Sequence, residues 1–419
     1  MVLVDTLRAD HMSLYGYERR TTPSLEELAE SAVVFSNALS QSSCTFPSVN
    51  SILTSRYPQE FVNRPDRDMT IPAATPPLPS ILQRNGYATA AVSASLIVRK
   101  TPSEHNKKGG FDRGFERFDE ECARRRAPCV NRSAVDLLDE LKEPFFLYLH
   151  YLEPHAPYLP PRSHERRFAT GTSDDQQIRN GQPWRISRRV HKGKETISDE
   201  PSLAKVRHLI DLYDEEVLFF DGQFRSLVEE VASRGLKERT VIVLLSDHGE
   251  EMLEHGSFGH CRSLSYQNLL ATPLLMWIPG VEGATRSSVV ENLDVVPTLL
   301  ELLKIDSSDY DLAGRSLVPV IASEEPVERY AYASQGRMRV VRDRRYKLLY
   351  DLENGAGRLY DLSSDPGETT DRAADLPDVT ARLERALFDW VESLEGLGDE
   401  DGLRWARELE AELEAVGYL

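Results

Sequence analysis

Two aspartates stand directly behind hydrophobic runs. Asp5 follows Val2-Leu3-Val4, and Asp247 follows the run Thr240-Val-Ile-Val-Leu-Leu245 with Ser246 between them. His248 is next, and Gly249 follows it. In open α/β sheets the carboxyl ends of the strands form the functional edge. Two carboxylates and an imidazole at one edge suit zinc or another divalent transition metal. Either aspartate taken alone serves equally well as a helix cap. The His-Gly pair past a strand end is harder to explain that way.

Thr45 and Ser48 flank Phe46-Pro47 just ahead of a helical stretch. A hydroxyl there normally caps the helix. The same place sets backbone donors and a positive dipole near an anionic ester. A Thr hydroxyl is too weakly acidic to attack unaided, and a metal would supply the activation. Cys44, its neighbour, is the intrinsically more reactive nucleophile, and residue chemistry alone does not separate the two. His155 sits in Glu153-Pro-His-Ala-Pro-Tyr158, after an apolar run, placed for binding or general acid work. In isolation it reads as a surface histidine. His255 and His260 follow His248 within thirteen residues of a chain that has ten histidines. Such a cluster suits groups around a metal.

The elements that must position these residues alternate. Val2–Val4, Tyr87–Val92, Pro144–Tyr151, Thr240–Leu245 and Leu274–Ile278 read as strands buried on both faces. Ser24–Ser31, Ser48–Thr54, Ala134–Leu141, Tyr213–Ser233 and Leu293–Leu303 read as helices between them. The alternation predicts an α/β fold with a mostly parallel central sheet and flanking helices. The composition shifts near Ser323. Beyond it, Arg337–Arg342, Tyr346–Leu352 and Gly357–Leu362 read as short strands, with Asn354-Gly355 turning a hairpin. A helix with Leu383, Leu387, Trp390 and Leu394 on one stripe follows, then an acidic helix over Leu403–Val416. The expected organisation is a catalytic α/β domain over 1–322 and a small C-terminal α+β subdomain over 323–419.

A net charge of −18 disfavours nonspecific binding to nucleic acid. Arg162–Lys194 runs against this charge, with nine basic and three acidic residues. It reads as a solvated loop or as a cover that attracts an anionic substrate. Cys44, Cys122, Cys129 and Cys261 show no zinc-ribbon spacing. Cys122 and Cys129 either pair across an Arg-rich loop or stay free. No run is long enough to span a membrane, and no export signal is visible. As given the chain reads as cytoplasmic. The three-residue first strand is short for an interior one, and a start further upstream would make it exported or membrane-associated.

Val4-Asp-Thr-Leu-Arg-Ala-Asp-His11 with Tyr15-Gly-Tyr17 resembles sulfatase-like proteins of the alkaline-phosphatase superfamily. The resemblance continues through Thr21-Thr-Pro-Ser-Leu25, Thr45-Phe-Pro-Ser48, Leu53-Thr-Ser-Arg-Tyr-Pro58 and Gly110-Phe-Asp-Arg-Gly-Phe115. It resumes at Pro154-His-Ala-Pro-Tyr158, Ser246-Asp-His-Gly-Glu250, Phe258-Gly-His260 and Leu359-Tyr-Asp-Leu-Ser-Ser-Asp-Pro-Gly-Glu368. The ordered matches span about residues 1 to 370.

The resemblance implies that Asp5, Asp247 and His248 are metal ligands. It makes His155 a substrate-binding or leaving-group histidine. Counting back from Leu53-Thr54 and Arg56 places Thr45, not Cys44, at the nucleophile position. Cys44 is then a small buried residue. True sulfatases carry a Cys or Ser there that is oxidised to formylglycine, within Cys-x-Pro-x-Arg. This chain has Thr45, and Val49 where the Arg would be, so no formylglycine is expected. Thr6 replaces the second of the usual paired aspartates, and His248 stands where classical sulfatases tend to carry Asn. Both changes favour manganese or zinc over calcium, which stays a third candidate. The pattern resembles the family's phosphonate monoester hydrolases and its phosphoryl-alcohol transferases. The expected activity is a metal-dependent hydrolase of phosphate, phosphonate or sulfate esters. Thr45, His155 and His260 would be catalytic, and Ser48, His255 and Arg262 would bind the anionic substrate. The alternatives are a group transferase acting on glycan or lipid, and a noncatalytic binding protein that keeps the fold. Oligomeric state is left open.

Overall fold

A computed structural model describes residues 1–62, 75–124, 126–161, 163, 164, 167, 168, 200–261 and 265–394. The expected acidic helix over Leu403–Val416 and nearly all of Arg162–Lys194 lie outside them.

Continuous apolar runs have become a central sheet covered on both faces. Its strands are β1 (Val2–Val4), β2 (Val33–Leu39), β3 (Ala88–Ser93), β4 (Arg117–Asp119), β5 (Phe145–Tyr151) and β6 (Ile242–Ser246). A two-stranded ribbon follows, β7 (Glu251–Met252) and β8 (Phe258–Gly259), and then β9 (Ala271–Trp277) and β10 (Ala284–Glu291) return to the main sheet. The sheet order is β10-β2-β9-β6-β1-β5-β3-β4. All its pairings are parallel except those of β9 with β2 and β6.

The period of two along each strand sorts the core into two halves. Val2, Val4, Leu147, Leu149, Leu244 and Leu275 pack on one face. There they meet the Glu200–Ser233 helix through Tyr213, Val217, Phe220 and Phe224. Leu3, Phe146, Tyr148, Val243, Leu245 and Leu274 pack on the other. There they meet the Thr45–Thr54 helix through Phe46, Val49, Ile52 and Leu53. That helix starts three residues before the expected Ser48. Cys44 is its extended N-cap, and the Ser48 amide donates to the Cys44 carbonyl at 3.0 Å.

β11 (Ala331–Gln335), β12 (Met338–Arg342), β13 (Tyr346–Asp351) and β14 (Ala356–Asp361) form an antiparallel meander. Gly355, at φ 61°, closes its last turn. One face packs Ala333, Val340 and Leu349 on Leu39, Leu269 and Val289 of the main body. The other packs Val341, Leu348 and Leu359 under Leu383, Leu387 and Trp390 of the Pro377–Ser393 helix. Cys122 and Cys129, left open by the sequence, are disulfide-bonded.

Lys347 of β13 is fully buried with its ammonium 2.7 Å from the Glu368 carboxylate, itself fully buried. Burial pulls the Lys347 pKa down to about 8 despite that carboxylate. Removing one partner strands the other charge in the interior. Lys347→Met is therefore expected to cost about 3–5 kcal/mol in urea unfolding. Adding Glu368→Gln should restore more than half of the loss. A single variant as stable as the parent would show that the pair is not holding the meander to the body.

Candidate active site

Register brings the two aspartates together. β1 lies between β5 and β6, with Val4 paired to Ser246 on one side and Tyr151 on the other. The next residues are Asp5 and Asp247. Their alternation continues that of Leu3 and of Val243 and Leu245, toward the face covered by the Thr45–Thr54 helix. One ligand atom each from Asp5, Asp247 and His248 lies within 4.8 Å of the others, and all three residues are buried.

Donors engage one oxygen of each carboxylate and leave the other. Asp247 Oδ1 accepts from the amides of Thr6 at 3.2 Å and His248 at 2.9 Å. Asp5 Oδ2 faces His150 Nε2 at 3.5 Å. Asp5 Oδ1 and Asp247 Oδ2 are buried without a hydrogen-bond partner. Burial raises the Asp247 pKa to about 6, with the Asp5 charge adding to it. Burial acts on Asp5 in the same sense, but His155, His150 and His248 hold it below the usual carboxylate range. Two adjacent acceptors without donors, in a site where two like charges resist ionising together, fit a divalent cation. His248 completes the donor set. Its Nδ1 lies 2.8 Å from the Gly249 carbonyl, which fixes the proton there and leaves Nε2 as the inward lone pair. Gly249 must be glycine, because an added Cβ would sit 2.0 Å from the Asn268 carbonyl oxygen.

Thr45 opens its helix, buried, with Oγ1 3.2 Å from His248 Nε2. Cys44 points elsewhere. It is buried, as expected, but it is no free thiol: it is bonded to Cys261. The alternative nucleophile is thereby removed.

His155 and His260 join the same chamber. The His260 ring centroid is 4.6 Å from that of His248 and 5.0 Å from that of His155. His260 Nδ1 lies 3.2 Å from Glu250 Oε1, and Tyr158 donates to Glu250 Oε2 at 2.6 Å. Burial lowers the His260 pKa to about 4. Burial also acts downward on His155, but Asp5, Glu250 and the Ala156 carbonyl more than offset it, so its pKa is raised.

The remaining candidates stand apart. The Ser48 hydroxyl turns back to the Ser42 carbonyl at 2.7 Å, closing the loop before Thr45. His255 stacks on Tyr266 at 3.5 Å and bonds through Nε2 to the Gly367 carbonyl at 2.9 Å. Arg262 lies outside the described residues. Three contributors were not singled out in the sequence. His150 was hidden inside the apolar run of β5, where a polar residue near a strand exit is itself a signal. Glu250 follows the Asp-His-Gly motif directly. Ser40 donates to the Asp247 carbonyl from an unremarkable Ser-rich loop.

A family model described as Sulfatase matches residues 1–305, and one described as N-sulphoglucosamine sulphohydrolase, C-terminal, matches residues 253–392. The chain belongs to the sulfatase family. It is 24% identical over 378 residues to the uncharacterized sulfatase YdeN of Escherichia coli, covering 78% of this chain and 61% of that protein. It is 24% identical over 381 residues to human iduronate 2-sulfatase, covering 77% and 68%. The chain thus spans about two thirds of the length of these relatives. A protein solved in complex with its substrate D-glucosamine-2-N,6-O-disulfate superposes with a TM-score of 0.75 at 18% identity, covering 94% and 97%. The phosphonate monoester hydrolase of Agrobacterium radiobacter superposes at 0.72 and 19% identity, covering 94% of each chain. These likenesses establish the fold.

The aspartate pair gives a pH signature. The folded pKa of Asp247, about 6, exceeds its unfolded value of about 3.9. Its contribution to stability is therefore full below pH ~4 and lost as pH rises through ~6. The opposite contribution of Asp5 is complete above pH ~4. A divalent cation held by this pair would replace the proton. The gain in Tm from saturating manganese or zinc over chelated protein should grow from pH 5 to pH 7. Asp247→Asn should flatten that growth. Scanning fluorimetry reads both, and a pH-independent gain in the parent would exclude Asp247 from the cation.

Proposed function

We propose that this chain is a metal-dependent hydrolase of sulfate, phosphate or phosphonate esters, with Thr45 as its nucleophile. The observation that carries the reading is the Thr45 hydroxyl beside the Asp5, Asp247 and His248 cluster. Asp5 Oδ1, Asp247 Oδ2 and His248 Nε2 would hold one divalent ion. When bound, it would acidify the Thr45 hydroxyl and offset the charge on the ester's nonbridging oxygens. Manganese or zinc fits a donor set with nitrogen better than calcium does.

Thr45 Oγ1 releases its proton to solvent, attacks the sulfur or phosphorus in line and forms a covalent ester, while the bond to the leaving oxygen breaks. His155, the more basic of the two outer histidines, donates its proton to that oxygen. His260, neutral at pH 7, then accepts a proton from the water that attacks the intermediate and passes it to Thr45 Oγ1 as the bond from that oxygen to sulfur or phosphorus breaks, while solvent reprotonates His155. Two in-line displacements give retention overall. Threonine lacks the aldehyde hydrate of formylglycine, so the intermediate is resolved by water.

The likeness to sulfatases and to a phosphonate monoester hydrolase supports an anionic ester as the substrate class, with sulfated sugars and phosphonate monoesters as the first classes to test. All four cysteines are paired, which favours an oxidising compartment. Among the described residues no helix is long and apolar enough to cross a membrane.

A panel of sulfate esters, phosphate mono- and diesters and phosphonates, each with manganese, zinc or calcium, tests the reading. Turnover of at least one class is expected, and it should vanish with chelator. Thr45→Ala should lower kcat by about 10³-fold or more, while Thr45→Ser retains part of it. Mass spectrometry should find unmodified threonine at 45. An alanine variant that keeps parental kcat would remove Thr45 from the mechanism.

A further inference from the structure

The Cys44–Cys261 disulfide joins two segments that are 217 residues apart in sequence. Each cysteine is the immediate neighbour of a site residue: Cys44 precedes Thr45, and Cys261 follows His260. We infer that this disulfide is a positioning crosslink, setting the nucleophile against the imidazole that handles the proton. The inference rests on the reading of Thr45 and His260 given above.

The surroundings support a local purpose. The Cys261 amide donates to the Ser43 carbonyl at 2.9 Å, so the two loops already touch beside the crosslink. Gln335 of β11 bridges them as well. Its Oε1 accepts from Ser42 Oγ at 2.5 Å, and its Nε2 donates to the Cys261 carbonyl at 3.3 Å. Cys261 has φ 65°, a region that residues with side chains seldom enter. Such a conformation persists where surrounding contacts over-determine it. Cys44 adopts extended angles as N-cap, while Thr45 is the first helical residue. The bond therefore fixes the cap from which the Thr45 side chain departs. His260 is held from its ring side by Glu250 and from its backbone side by Cys261. The hydrogen bonds to Ser43 and Gln335 survive loss of the disulfide, so the fold is expected to survive too. What is lost is the fine placement of Thr45 relative to His260. A displacement of about 1 Å at reacting groups costs up to about 10²-fold in rate.

The test uses a Cys122→Ala/Cys129→Ala parent, in which Cys44–Cys261 is the one disulfide left. Cys44→Ala/Cys261→Ala in that background removes the crosslink without leaving a thiol. A phosphine reductant acting on the parent does the same chemically: sulfur is reduced to two thiols, phosphorus is oxidised, and one water supplies the oxygen and the protons. Either route should lower kcat about 10- to 100-fold with KM within about twofold, at saturating manganese. Reoxidation of the reduced parent should restore kcat. His260→Ala should cost about tenfold or more with the disulfide intact and less than about threefold without it, since both changes disable one arrangement. That coupling is what a merely stabilising crosslink would not produce. Parental kcat after loss of the bond overturns the inference, and so does an equal cost of His260→Ala in both backgrounds. A double variant that fails to fold leaves the reduced parent to give the same readings. Thr45→Ala in the crosslinked background separates the two levels. If it is active, the nucleophile assignment fails. If it is dead while loss of the bond is silent, only the positioning role fails.

Discussion

Two carboxylates share one dry edge of the sheet, and most of the site answers to that fact. Asp5 and Asp247 leave neighbouring parallel strands at matched register, so their proximity is set by the pairing of Val4 with Ser246. In a low-dielectric interior like charges at this range resist ionising together. The surrounding donors do not quench the pair. The amides of Thr6 and His248 take one oxygen of Asp247, and His150 faces one of Asp5. The oxygens left over are those a cation would use. The proposal of threonine as nucleophile fits the same constraint, because a hydroxyl would be useful only where a strong positive charge can draw off its proton.

The histidines repeat one local device. His248 Nδ1 is bonded to the Gly249 carbonyl, His155 Nδ1 to the Ala156 carbonyl at 2.5 Å, and His260 Nδ1 to the Glu250 carboxylate. Fixing the outer nitrogen of each ring leaves Nε2 for the chemistry. The partners differ, and so do the consequences. Burial dominates at His260, which stays neutral. At His155 the nearby carboxylates dominate, and its pKa rises. Two imidazoles at ring-centroid separation of 5.0 Å are thereby given opposite proton affinities.

The sequence was most legible where burial is complete. Phe146–Leu149 of β5 and Val243–Leu245 of β6 are buried on both faces, and their residues alternate between the two core halves as expected. β10 was missed because Ala284–Ser287 lies half exposed at the sheet edge and reads as polar. β2 was missed because Ser36 and Asn37 interrupt it at a register shift against β9. The convergence of Asp5, Asp247 and His248 was legible because they sit at strand ends, two of them adjacent in sequence. The pairing of Cys44 with Cys261 was not, since a crosslink over 217 residues leaves no local trace. His150 was concealed by the apolar company that makes its strand easy to see.

Cys44 and Thr45 show how one peptide bond can separate two roles. Helical angles at both would set their side chains about 100° apart around one axis, both near the helix N-terminus. Extended angles at Cys44 instead turn its side chain toward Cys261, while Thr45, helical, turns toward His248. Pro47 supports the switch from below. It sits in the first turn, where its missing N–H costs nothing, and its ring disfavours any earlier helical start. The more nucleophilic side chain is thereby spent on architecture, and the less nucleophilic one is placed where a cation can activate it. An anionic ester entering this edge would meet no free thiol competing with the hydroxyl, so under the proposed mechanism the reaction would be confined to the one group beside the Asp5, Asp247 and His248 cluster.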